Sequence, residues 1–91
     1  MSQVHSTTLL LVNSTDRPRT IWLEPVGEEL EFPPGARWQV TCESPSALLQ
    51  PIEVAMHDDS LAIHGTMNGV TRVTQGDAVI WECRLPFENA R

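Results

Sequence analysis

The chain has 91 residues, a formal charge of −6 and 41% hydrophobic side chains, which describes one domain long enough to bury a single core without metal or disulfide support. A pI near 4.8 argues against nucleic acid or an anionic membrane as partner, because both require clustered cations. The six basic residues (Arg17, Arg19, Arg37, Arg72, Arg84 and Arg91) are all arginine. Arg forks suit bidentate recognition of carboxylates or phosphates, although a compositional bias is the plainer explanation.

Short apolar runs of period two, cut every eight to twelve residues by Asp, Asn, Gly and Pro, predict a small all-β antiparallel sandwich or open barrel of seven to eight strands spanning residues 1–91. The first strand is expected over Thr7 to Asn13. The turn Ser14-Thr15-Asp16-Arg17-Pro18 follows, where short polar side chains cap their own backbone. The second strand, Arg19 to Glu24, closes at Pro25-Val26-Gly27. The third, Glu28 to Phe32, sets Leu30 and Phe32 against Glu29 and Glu31. It ends at Pro33-Pro34-Gly35, where two missing backbone donors exclude a central position. The fourth, Arg37 to Glu43, turns Trp38, Val40 and Cys42 inward and Arg37, Gln39, Thr41 and Glu43 outward. In the looser connection that follows, Ser46 is placed to cap one short helical or 3₁₀ turn, which Pro51 ends.

In the second half, Ile52, Val54 and Met56 share one face and Leu61 and Ile63 another. Opposing these sets requires an even-numbered loop: a two-residue turn at Asp58-Asp59 or Asp59-Ser60, or four residues. At Met67-Asn68-Gly69 a three-residue bulged hairpin, with Gly69 left-handed, is expected to place Ile63 opposite Val73. Gln75-Gly76-Asp77 leads into the last strand, Ala78 to Leu85, with Val79, Trp81, Cys83 and Leu85 on one face. The tail from Pro86 to Arg91 is expected to fray. Most strands are thus read as hairpin-linked, in two antiparallel sheets.

Leu9-Leu10-Leu11-Val12 is too short for a signal core or a membrane span, and the N-terminus lacks a charged leader region, so a cytoplasmic location is expected. Cys42 and Cys83 alternate with apolar neighbours and are expected to be buried, reduced thiols. A Cys42–Cys83 disulfide is the competing outcome should their strands be adjacent.

Chemistry-bearing patterns are sparse. His57, His64, Cys42 and Cys83 are the candidate ligands for copper or zinc. Strand parity, however, puts both histidines outward and both cysteines inward, and Cys83 is followed by Arg84-Leu85-Pro86-Phe87-Glu88, which supplies neither His nor Met. No serine sits in a nucleophile elbow, and neither cysteine has the polar setting that makes a thiolate. Adjacent acids on a strand point to opposite faces, and Asp58-Asp59 reads as turn chemistry. No enzymatic activity and no cofactor are expected.

Trp22 is the most informative single residue. Ile21 and Leu23 entering the core would leave Trp22 outside with Glu24, near the turn bearing Arg17 and Arg19. Trp and Arg are typical anchors of protein-binding hot spots, so Trp22, Arg17, Arg19 and Glu24 form the predicted partner-binding set.

The stretch Asn13-x-Thr15-Asp16-Arg17-Pro18-Arg19-Thr20-Ile21-Trp22-Leu23-Glu24-Pro25-x-Gly27, followed by Pro34-Gly35, resembles a family of small bacterial β-domain proteins of uncharacterised activity. The resemblance covers roughly the first forty residues; it implies a bacterial β-domain and transfers no activity. The expected function is therefore a non-enzymatic, acidic β-domain that binds a protein partner or itself, with a metal-binding sandwich as the alternative. Self-association is tied to the first strand. Edge strands need charge, Pro or a cover, and Thr7 to Val12 has neither charge nor Pro, so it must lie centrally or pair with a second copy.

Overall fold

Alternating burial along the chain resolves into eight strands: β1 (His5–Val12), β2 (Arg19–Glu24), β3 (Glu28–Phe32), β4 (Arg37–Ser44), β5 (Glu53–Met56), β6 (Ser60–His64), β7 (Gly69–Gln75) and β8 (Ala78–Leu85). The structure is a computed structural model and describes residues 4–45 and 52–85. The predicted Ser46 turn and the tail from Pro86 lie outside these residues. The strands form two four-stranded sheets, ordered β1-β4-β7-β8 and β3-β2-β6-β5. The fold is a small β-sandwich, with no helix among the described residues.

The core comes from the inward positions of both sheets. Ile21, Leu23, Phe32, Trp38, Val40, Ile63 and Val73 are buried together, with Leu9, Leu11, Leu30 and Trp81 packed around them. Phe32 and Trp38 meet with ring centroids 4.6 Å apart at 45°, a tilted pairing favoured by the ring quadrupoles. The Trp38 Nε1–H donates to Gln75 Oε1 at 2.8 Å, which satisfies the one polar atom that this buried ring carries.

Asn13, 3% exposed, joins three segments at one end of the sandwich. Its Nδ2 donates to the carbonyls of Arg17 and Phe32 at 2.9 and 3.0 Å. Its Oδ1 accepts from the Thr15 backbone N–H and hydroxyl at 3.0 and 2.6 Å. Its backbone N–H donates to Ala36 and its carbonyl accepts from Gly35. Asn13, Thr15, Arg17 and Gly35 are thus gathered here as a structural hub.

Several sequence expectations meet the fold directly. β2 and β3 have the expected bounds, and β3 is an edge strand. Trp38, Val40 and Cys42 are buried. Met56 pairs with Leu61 and Val54 with Ile63, and His57 donates to the Ser60 carbonyl, the register of a two-residue turn at Asp58-Asp59.

Others are corrected. Three consecutive pairs are hairpins: β2–β3, β5–β6 and β7–β8. The other connections cross between the sheets, and the second sheet is mixed because β2 and β6 run parallel. The expected β6–β7 bulged hairpin does not form. Ile63 lies beside Leu23, and β7 pairs with β4 and β8. Residues 65–68 cross between layers, held by Thr66 N–H to Thr71 Oγ1 at 3.0 Å and by bonds between the Thr66 hydroxyl and the Asn68 backbone. Gly69 does take a positive φ, +138°, but at the start of β7 against β4. On β8, a register shift pairs Val73 with Trp81 and Thr74 with Val79. Ile80 is the extra residue of this bulge, which moves Val79 off the Trp81 face and leaves it 55% exposed.

Cys42 and Cys83 are both free thiols; Cys42 is buried as expected, whereas Cys83, on the border strand β8, is only half-buried. Each is in register with Thr71, from opposite sides of β7, so their backbones stand two strand spacings apart, about 10 Å, beyond disulfide reach. The alternative in which their strands are neighbours is therefore excluded. Alkylation without prior reduction is expected to label both thiols on unfolding. Cys83→Ala is expected to cost about 1–2 kcal/mol through lost packing; protein that resists labelling until reduced would contradict this.

Candidate functional site

Two surfaces stand out, and the predicted binding residues divide between one of them and a separate turn.

The first surface is the edge of β1 that has no strand beside it among the described residues. The strand pairs with β4 along its whole length, from His5 opposite Ser44 to Val12 opposite Arg37, and forms the border of its sheet. Asn13 and Ala36 continue this register and are joined by Asn13 N–H to Ala36 carbonyl, 3.0 Å. In an antiparallel ladder, residues alternate between pointing their backbone groups at the partner and away from it. Leu11, Leu9, Thr7 and His5 therefore bond to β4, while Val12, Leu10, Thr8 and Ser6 direct N–H and C=O outward. Their side chains share the sheet's outer face, with Leu10 50% and Val12 42% exposed.

The other sheet borders are protected. β3 carries Glu28, Glu29 and Glu31 and is followed by Pro33 and Pro34. β5 is four residues long and begins with Glu53. β8 is bulged and carries Glu82 and Arg84; Glu82 forms ion pairs with Arg84 at 3.8 Å and with Arg72 of β7 at 3.5 Å. β1 is the longest border strand without a charged Asp, Glu, Lys or Arg, a proline or a register shift.

The second surface is the outer face of the β3-β2-β6-β5 sheet. With Ile21, Leu23 and Ile63 buried, alternation turns Thr20, Trp22 and Glu24 outward. The register aligns Glu29, Trp22, Ala62 and Ala55 in one row. Glu31, Thr20 and Ser60 flank it on one side, and Glu24, His64 and Glu53 on the other. Trp22 is half-buried and borders a shallow recess with Glu24, His57, Ser60 and Ala62. The small Ala62, in register with Trp22, forms the near wall of this recess. These strand positions carry four carboxylates and neither Lys nor Arg.

Of the predicted set, Trp22 and Glu24 share this face and the two arginines do not. Arg17 and Arg19 line a separate depression with Pro18, Thr20 and Asp59. The Arg19 guanidinium donates to the Asp58 carbonyl at 3.3 Å. Arg19 is opposite Phe32, hence of inward parity, so it leaves the sheet at its end instead of lying beside Trp22. Sequence reasoning missed Glu29 and Glu31, which the β2–β3 hairpin sets beside Trp22, and Glu53, which joins the same face through the parallel β2–β6 pairing that has no local signal.

The structure does not bring the candidate metal ligands together. His57 and His64 lie on the outer face of one sheet, while Cys42 and Cys83 lie on the inner face of the other. Among the described residues no group of three or more His, Cys, Asp or Glu is arranged to hold a metal ion. Cys42 is buried with its Sγ 3.7 Å from Thr71 Oγ1. No helix among the described residues is long and apolar enough to cross a membrane. No family model matches the chain, and no curated protein or solved structure matches it either.

Proposed function

We propose that this chain is a non-enzymatic binding domain that takes up an extended strand along the edge of β1. The observation that supports this is the contrast between edges. Three borders carry charge, brevity, a bulge or following prolines, and β1 presents four outward N–H and C=O pairs beside exposed Leu10 and Val12. Natural sheets guard long apolar edges because an unguarded one templates pairing, and strand addition is a general mode of peptide recognition. The metal-binding alternative has weaker support, since its four candidate ligands belong to different layers.

Amide exchange on labelled protein, alone and in a cell extract, tests the reading. The amides of Ser6, Thr8, Leu10 and Val12 are expected to be slowed in at least one of the two conditions. Free exchange of all four in both would overturn it.

A second reading concerns the Trp22 face, where four carboxylates around a half-buried indole favour a basic partner segment through charge and cation–π attraction. Trp22→Ala is expected to weaken binding of an oligo-arginine peptide several-fold at low salt. Binding unaltered by that change would remove Trp22 from the site.

A further inference from the structure

Resting on the β1-edge reading, we infer that the strand which occupies this edge is β1 of a second copy, paired antiparallel about a two-fold axis at Leu9. Three observations converge on this occupant. First, the outward residues Ser6, Thr8, Leu10 and Val12 are spaced symmetrically about Leu9. A two-fold axis there sets Ser6 opposite the partner's Val12 and Thr8 opposite the partner's Leu10. Every outward N–H and C=O of both strands then finds a partner, and each exposed apolar side chain gains a neighbour.

Second, the charges agree. Two molecules of formal charge −6 each repel, and β1 contains no Asp, Glu, Lys or Arg, so it is an edge at which they can meet without opposing carboxylates. Ser6 is in register with Glu43, and Val12 with Arg37. The two-fold pairing therefore continues the Glu43 row of one copy into the Arg37 row of the other, at both ends of the contact. These rows lie about three strand spacings apart, roughly 14 Å, so the attraction orients the encounter more than it adds affinity. A parallel arrangement would align Arg37 with Arg37 and Glu43 with Glu43.

Third, the contact closes. An antiparallel β1–β1 pair uses the same patch on both copies, joins the two sheets into one of eight strands and leaves only the guarded β8 border at each end. An isologous contact of this kind yields a dimer and not a filament. A strand-to-strand contact of eight residues is at the small end of specific interfaces, so dissociation on the order of micromolar is expected.

The backbone alternation supplies a sharp test. Thr8→Pro removes an outward N–H and leaves the backbone bonds to β4 intact, losing only the exposed Thr8–Thr41 hydroxyl contact, whereas Pro at Leu9 would break the fold. Solution mass is measured from ~1 to ~200 µM, bracketing the expected dissociation constant. The wild-type chain is expected to pass from monomer to dimer. Thr8→Pro and Leu10→Lys are expected to stay monomeric across the range while keeping the wild-type β-sheet circular dichroism. In a Cys83→Ala background, Leu9→Cys is expected to form a covalent dimer on mild oxidation, because the axis brings the two position-9 backbones to about 4.5 Å. A wild-type dimer unaffected by both variants places the contact elsewhere and overturns the inference. Efficient crosslinking through Leu10→Cys and not Leu9→Cys overturns the register. A monomer at every concentration rules out the second copy, and slowed outward amides in extract would then leave the edge reading standing with another occupant.

Discussion

Asn13→Ala is expected to destabilise the domain by about 3 kcal/mol, and Asn13→Asp by more, because the side chain, itself 3% exposed, serves two donors and two acceptors. Truncation leaves the buried Phe32 carbonyl and the part-buried Thr15 N–H without this partner, and a buried unsatisfied group costs about 1–3 kcal/mol. Aspartate is nearly isosteric but sets a carboxylate against the carbonyl oxygens of Arg17 and Phe32, which Nδ2 now approaches at 2.9 and 3.0 Å. Burial and these dipoles would raise the introduced group's pKa above its unfolded value. The folded state then binds more protons than the unfolded state between the unfolded carboxylate range near 4 and the raised folded value, so the stability of Asn13→Asp falls as pH rises from about 4 through that window. Urea unfolding at pH 4 and pH 7 checks the sign: Asn13→Asp, compared with wild type, should recover part of its loss at the lower pH. Against a total stability of about 5–15 kcal/mol, such losses are a substantial fraction. An Asn13→Ala protein within about 0.5 kcal/mol of wild type would show that water replaces the side chain and that the hub is dispensable.

Gly69→Ala is expected to be at least as damaging, about 4 kcal/mol or more, through a different cause. A Cβ there would stand 1.9 Å from the Glu43 carbonyl oxygen, at a φ of +138°. The obstacle is backbone of the neighbouring strand, which cannot rotate away, so either the β4–β7 ladder opens or the crossing from β6 is displaced. Gly27→Ala and Gly35→Ala are the controls. Both glycines have φ near +77°, and no atom lies within 4 Å of an added Cβ, so they isolate the conformational cost, about 1–2 kcal/mol. Thermal melts of the three variants should separate Gly69 from the pair. If all three lose equally, dihedral strain and not close approach governs position 69.

The β1 edge connects these stability arguments to function. Asn13 ends β1 and ties it to the turns at residues 14–18 and 33–36, so the strand is held straight and in register up to its last outward residue, Val12. A destabilised hub is therefore expected to loosen the edge as well as the fold. Leu10→Lys acts on the edge alone and Thr8→Pro adds only the loss of an exposed hydroxyl contact to Thr41, and this difference keeps a binding defect distinguishable from an unfolding defect.

Alternation and punctuation determined a good deal by themselves. Period-two patterning is a local property of residues half-buried on a sheet, so the bounds of β2 and β3, the inward Trp38, Val40 and Cys42, and the Asp58-Asp59 register were legible one strand at a time. The Pro33-Pro34 pair marked β3 as an edge because missing donors are a property of the residue itself. What tertiary structure decided was which strand lies beside which. Asn68-Gly69 permits a chain reversal, but the same residues serve a hairpin or a crossing between layers. Ile63 is buried in both cases, and pairing β6 with β2 in place of β7 was set by how the two layers close over a common core. The bulge at Ile80 likewise reversed the face of Val79 without any local signal. The same limit applied to function. Parity put Trp22 outside and the β2–β3 hairpin set Glu29 and Glu31 beside it, but only the parallel β2–β6 pairing added Ala62, His64 and, beyond them, Glu53 to the same face. The sequence showed that β1 lacked protection; its position at a border, with four residues turned outward, follows from non-local pairing energies that no single segment encodes.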